Sequence, residues 1–132
     1  EAPMFARPEV MEIAAARAAH AALRQSAIAG NVANADTPGY RARDLAGFES
    51  IWRDTSGGEL RHTRRGHLGG ADAPVLGQVT TRSQPGSLSP NGNDVSLETE
   101  MVAAATVKKD HDLALAVYRT SLDILRASLG RR

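Results

Sequence analysis

The sequence has no cysteine in its 132 residues, which excludes a disulfide framework and any thiolate metal site. That absence leaves the compartment open. Aromatic residues are scarce as well, at 4%, and much of the 42% hydrophobic share is alanine. Such a chain has little bulky material for a core of its own, so a marginal monomer is expected, one that buries apolar stripes against partners. Excess charge is also missing. The formal net charge of +1 gives no global drive toward nucleic acid or a membrane surface. No apolar run is long enough to span a bilayer. The opening stretch Glu1-Ala2-Pro3-Met4-Phe5-Ala6-Arg7 lacks the basic-then-apolar layout of a secretory signal, so export would need another route.

Two helical stretches dominate what is present. Pro8 suits the first turn of a helix, and Glu9 and Glu12 favour its positive end. From there to about Asn34 strong helix formers prevail, with Val10, Ala14, Ala18, Ala21, Gln25, Ile28 and Val32 on one face. Gly30 weakens this helix and is expected to permit a close neighbour or the coming turn. A second helix is expected after the turn residues Asn91-Gly92-Asn93, with Ser96 or Asp94 as N-cap and Gly130 as the stop. Its apolar stripe steps alternately by four and three: Leu97, Met101, Ala104, Lys108, His111, Leu115, Tyr118, Leu122, Leu125, Leu129. A mean spacing of 3.5 is the coiled-coil period. Val95, Val102, Leu113, Val117 and Ile124 widen the apolar surface, so this helix is expected to meet more than one neighbour. Between the helices, Leu45, Phe48, Ile51 and Trp52 offer a short helical or extended patch. Periodicity then vanishes from Asp54 to about Asn93, where Gly, Ser, Thr, Pro and Arg prevail. Val75, Leu76 and Val79 offer a short strand there.

The fold class predicted is mainly α: long N- and C-terminal helices paired as a coiled-coil-like hairpin around an irregular, partly β middle. Residues 1–44 are expected to form the first helix and its turn, 45–93 a mobile middle segment and 94–132 the second helix, within one structural unit.

Chemistry is hard to build from the rest. His62 and His67 have no carboxylate cluster at usable spacing, so they read as solvated loop histidines. His20 and His111 lie one in each helix and read as structural, stacking in the interhelical seam. Asp110 and Asp112 flank His111 but do not share its helix face. No serine lies in a Gly-x-Ser-x-Gly elbow, and no Gly-rich phosphate loop leads a helix. The arginines at 41, 43, 53, 61, 64, 65 and 82 are interspersed with acids and have no aromatic platform, which reads as a salt-bridged face and not a nucleic-acid groove. No catalytic, cofactor-binding or metal-ligating residue is assigned.

One stretch is more specific. Asn31-Val32-Ala33-Asn34-Ala35-Asp36-Thr37-Pro38-Gly39-Tyr40 closes the first helix and turns the chain sharply, with Pro38-Gly39 at the centre of a type II turn. The run resembles the N-terminal signature of the flagellar axial proteins. Its continuation, Arg41-Ala42-Arg43-Asp44, and the later stretch Gly92-Asn93-Asp94-Val95-Ser96-Leu97-Glu98-Thr99-Glu100-Met101 are similar to the proximal rod subunits of the bacterial flagellar basal body, the FlgB family. The resemblance covers roughly the first and last thirds of the chain. Ser96 stands where many relatives have Asp, and Gly30 where Asn is frequent.

The resemblance implies a structural subunit and no enzyme. It would self-assemble with other rod proteins into the drive shaft that joins the membrane ring and export gate to the distal rod and hook. Partners would be copies of itself, other rod proteins, and ring and export-gate components, with no nucleic acid and no small-molecule substrate. The subunit would lie in the periplasmic rod after type III export without a cleaved signal. Ile28, Val32, Leu97, Met101, Leu115, Tyr118, Leu122 and Leu125 are the assembly residues expected. Asn31, Asn34, Thr37, Pro38, Gly39 and Tyr40 would set the bend. Another short rod subunit, or a free-standing helical-hairpin adaptor or chaperone, are the alternatives.

Overall fold

The computed structural model describes residues 8–57, 79–82 and 88–130. The features expected at His62, His67, Val75, Leu76, Arg61, Arg64 and Arg65 lie outside the described residues. In chain order the elements are α1 (Glu9–Ala33), β1 (Arg43–Leu45), α2 (Phe48–Gly57), β2 (Val79–Thr81) and α3 (Leu97–Leu129).

Both long helices begin and end on the signals expected, with one shift. Pro8 is the N-cap of α1 and not part of its first turn, because its ψ of 138° is extended; its carbonyl still accepts from Met11 and Glu12. At α3 the Ser96 side chain accepts from the Thr99 N–H, and Gly130 ends the helix with its N–H on the Arg126 carbonyl. Glu98 and Glu100 occupy the positively polarised first turn.

The helices pair antiparallel. Along α1, Ala14, Ala21 and Ile28 are buried, and along α3, Glu100, Val107 and Ala114. Both sets recur every seven residues, and Asn31 meets Glu100 at the turn end while Ala21 and Ile28 pack with Val107. This is the coiled-coil-like hairpin predicted. Ala103 and Ala104 complete the cluster. Alanine on both sides lets the backbones approach but limits the gain. Ile28 and Val107, each 2% exposed, contribute about 1.5–3 kcal/mol apiece by burial.

The line of contact on α3 is not the Leu-rich stripe. Leu97 and Met101 are 47% and 69% exposed. At 3.6 residues per turn they lie roughly 80–120° round the helix from Val107; Ala104 of the stripe touches the cluster from its edge, and the stripe comes into line with Val107 toward Tyr118 and Leu125. A strict 3.5 repeat drifts across the surface of a helix in this way. The small residues, not the largest apolar ones, take the inner line because they allow the closest approach.

α2 docks on α1 through aromatic contacts. The Phe48 ring meets His20 edge-on at 5.8 Å and stacks on Trp52 at 5.6 Å, with the Arg17 guanidinium 5.8 Å from its centre. His20 donates from Nε2 to the Ala46 carbonyl at 2.8 Å. The expected histidine stack in the seam is therefore replaced by a His20–Phe48 contact, and His111 is half-buried. β1 and β2 pair antiparallel with Arg43 opposite Thr81 and Leu45 opposite Val79.

Gly30 turns out not to need its missing side chain. A methyl group there would meet only the Tyr40 hydroxyl, at an ordinary 3.8 Å. Gly30→Ala should raise stability by about 0.5–1 kcal/mol, read as a higher urea midpoint at unchanged slope. A lower midpoint would mean that Gly30 serves an unseen close approach.

Candidate functional site

The end of α1, the following turn, β1, Arg82 and the approach to α3 converge on one polar cluster. Its centre is the Asn31 carboxamide, with 0% exposure. Asn31 Nδ2 donates to the Arg43 carbonyl at 2.8 Å and to Glu100 Oε2 at 3.1 Å. Asn31 Oδ1 accepts from the Arg43 N–H at 2.8 Å and from the Tyr40 hydroxyl at 3.2 Å. One side chain thus mimics a strand partner for Arg43 and reaches both the turn and α3. An amide is required, since only it offers donors and acceptors side by side.

The turn itself has the geometry its residues demand. Tyr40 N–H donates to the Thr37 carbonyl across Pro38-Gly39, and Gly39 has φ +72°. Asn34 Nδ2 donates back to the Gly30 carbonyl at 2.8 Å, and Thr37 Oγ1 donates to Asn34 Oδ1. The Gly30 carbonyl thus accepts from both the Asn34 N–H and the Asn34 side chain, and Thr37 fixes the orientation of that amide. A second turn, Ser89-Pro90-Asn91-Gly92, packs directly on the first. Gly92 has φ +84°, a Cβ on it would sit 3.4 Å from the Gly39 Cα, and Gly39 N–H donates to the Asn91 carbonyl.

Two buried side chains stitch the turns to α3. Asn93 Nδ2 donates to the carbonyls of Asn34 and Thr37, at 2.8 and 2.7 Å, and its Oδ1 accepts from the Val95 N–H. Asp94 Oδ1 accepts from the Ala42 N–H at 2.6 Å, and its Oδ2 lies 3.7 Å from Arg41 Nη1.

A chain of charges runs alongside. Arg24 grips Asp44 with two bonds of 2.9 and 3.2 Å; Arg82 bonds the same carboxylate at 3.1 Å and also Glu100. Burial opposes ionisation of Asp44 and is the largest single influence on it. The bond from Arg24, the Leu45 N–H and the charges of Arg24 and Arg82 together outweigh it, so the carboxyl lies below its ordinary value.

The site therefore brings together the motif residues Asn31, Asn34, Thr37, Gly39 and Tyr40, with exposed Pro38 shaping the turn. The residues expected at an assembly surface are spread along the helices. Ile28 is buried in the seam; Val32, Leu97 and Met101 are exposed; Leu115, Tyr118, Leu122 and Leu125 are half-buried. Arg24, Asp44, Arg82, Asn93, Asp94 and Glu100 were not expected at a common site. One signal pointed to Glu100: it precedes Val107 and Ala114 by seven and fourteen residues, a carboxylate on the inner line of the helix. Among the described residues no group of three or more His, Cys, Asp or Glu is placed to hold a metal ion.

Comparison with known proteins gives a consistent result. The model of the flagella basal body rod protein family matches residues 11–41, from the buried part of α1 through the Pro38-Gly39 turn. The flagellar basal body rod protein FlgB of Agrobacterium fabrum is 28% identical over 117 residues, covering 85% of this chain and 86% of that protein. A protein of the same name from Cereibacter sphaeroides is 33% identical over 100 residues, 74% of this chain and 77% of its own length.

Asn31→Ala should cost more than about 2 kcal/mol by urea unfolding, because it strands Glu100 and the Arg43 backbone, whereas Asn34→Ala should cost about 1 kcal/mol. Equal losses would remove Asn31 from the centre of the network. A carboxyl with a lowered folded-state pKa contributes stability above its unfolded value of about 3.9, and that contribution is lost as pH falls through the folded value. Stability should therefore drop on acidification below about pH 4, and Asp44→Asn should make that drop shallower while lowering stability at neutral pH. An unchanged acid limb in the variant would show that Asp44 gains nothing from its arginines.

Proposed function

Since this chain belongs to the FlgB family of flagellar basal body rod proteins, and is thus a structural subunit of the proximal rod, we propose that the uncovered faces of α3 are where it assembles. The observation that carries this reading is the exposure of large apolar side chains on an otherwise well-ordered helix. Met101, Val102 and Ile124 are each more than 60% exposed, and Leu113 55%. Two separate strips result. Leu97 and Met101 lie on one side of the seam; Val102, Leu113, Val117 and Ile124 lie on the other. A monomer gains nothing from either, whereas a subunit packed between neighbours buries both.

In this reading the expected residues divide by task. Ile28 holds the hairpin together. Val32, Leu97 and Met101 meet a neighbour, and Leu115, Tyr118, Leu122 and Leu125 complete their burial on assembly. The partners are copies of this chain and other rod subunits, with the membrane-ring and export-gate components at the base. The route is type III export into the periplasmic rod. Residues 1–44, 45–93 and 94–132 act as one unit, and the work is mechanical and not catalytic. The polar cluster supports that last point, because its side chains are spent on holding backbone in place.

Photo-crosslinking in cells from Met101 and Ile124, with captured proteins identified by mass spectrometry, should yield rod subunits and basal-body components. Ile124→Asp and Leu122→Asp should abolish rod assembly and swimming, since each puts a charge into a seam that closes on assembly. Ile124→Asp should leave the urea midpoint of the isolated subunit within about 0.5 kcal/mol of wild type. Capture of unrelated cytoplasmic proteins, or normal swimming in both variants, would overturn the assignment of these faces and favour the free-standing adaptor.

A further inference from the structure

β2 is an unusual strand in that all three of its side chains, Val79, Thr80 and Thr81, are exposed. It gains nothing from burial. It is held by the three-residue ladder with β1, by the Arg82 N–H on the Ala42 carbonyl at 2.7 Å, and by the Arg82 side chain. That guanidinium bonds Asp44 on β1 and Glu100 on α3 at once. Glu100 has 0% exposure, and its other bonded partner is the Asn31 amide of α1. The cation that neutralises a fully buried carboxylate in the helix seam is therefore carried on the end of a three-residue strand whose own side chains are all exposed.

We infer that Arg82 is a latch: docking of β2 and closure of the turn end of the α1–α3 hairpin are one coupled event. Asp44 keeps a cation when β2 leaves, because Arg24 still grips it from α1. Glu100 keeps only a neutral amide, and a buried carboxylate without its cation is costly enough to open its surroundings. The first turns of α3 and the last turn of α1 loosen as the strand departs. In the other direction, any contact that holds β2 in place stabilises the hairpin end. The helices then report on the middle of the chain although the strand buries no side chain of its own against them. This coupling does not depend on which neighbours the helix faces meet.

Amide hydrogen exchange of the full chain, read by NMR, tests the latch at three places: the Arg82 N–H on the ladder, Ala104 in the early turns of α3, and Ala114 farther along the seam. In the wild type all three are protected. Arg82→Ala should raise exchange at Arg82 (now Ala) and at Ala104 by about tenfold or more, with Ala114 nearly unchanged. Adding Glu100→Gln to Arg82→Ala should restore protection at Ala104 while the ladder stays open, because the neutral amide no longer needs a cation. Arg82→Lys, which keeps the charge but not the two-armed grip, should show the same pattern in milder form. Opening confined to the ladder, or loss that is uniform through Ala114, would overturn the latch. Failure of Glu100→Gln to restore Ala104 would overturn it as well.

Discussion

The carboxamide of Asn31 is the point on which the rest of the structure depends. It is fully buried at the end of α1, and its four bonds reach the turn, the first strand and α3. The helix seam alone could not fix this arrangement. Half of its inner positions are alanine, which packs acceptably in several registers. A polar group that must find particular partners removes that freedom, because a slip of one residue would leave Asn31 or Glu100 buried without them. The seam supplies proximity and the amide supplies register. Asn93 and Asp94 repeat the device from the other side, so that two turns and two helix ends share one set of bonds.

Much of the backbone was legible because it is governed by local chemistry. Pro38-Gly39 dictates its turn, Ser96 caps α3, Gly130 ends it, and the seven-residue period gives a paired hairpin. Which line of α3 faces α1 was not legible. Hydrophobic spacing weights leucine over alanine, whereas close approach of two backbones selects alanine over leucine. The two criteria diverge on this helix, and Leu97 and Met101 are left outside. The β1–β2 pair was only half visible. Val79 was expected in a strand, but three residues of ladder carry too little pattern to name their partner. Arg82 looked like one of several arginines scattered among acids, because its two carboxylate partners lie 38 and 18 residues away in the chain. Asn31 and Tyr40 were placed at the bend by motif, but the reach of Asn31 to Glu100 depends on tertiary geometry alone.

A division of labour follows for a rod subunit. One end of the hairpin is closed by directional bonds that tolerate little variation in distance. The long outer faces of α3 carry exposed apolar side chains, and the contacts proposed for them are non-directional and tolerate small changes of angle. An assembled rod needs both properties of its subunits.

The glycine-on-glycine contact between Gly39 and Gly92 has a consequence of a different kind. Both residues have positive φ, a backbone conformation that side chains disfavour, and a Cβ on Gly92 would rest 3.4 Å from the Gly39 Cα. Each turn therefore requires its own glycine, and the strain of a side chain at one is not relieved by any change at the other. The hairpin is thus clasped at one end by directional bonds and two required glycines, while toward the other end the buried hydrophobic residues described are Met11, Ala14 and Ala16 of α1 and Ala114 of α3. A force pulling the helices apart at the Glu9 end would peel those contacts one layer at a time. A force directed along the helix axes would load every layer together with the clasp. The subunit is accordingly stiff in shear and soft in peeling, a mechanical polarity written into the fold before any neighbour is added.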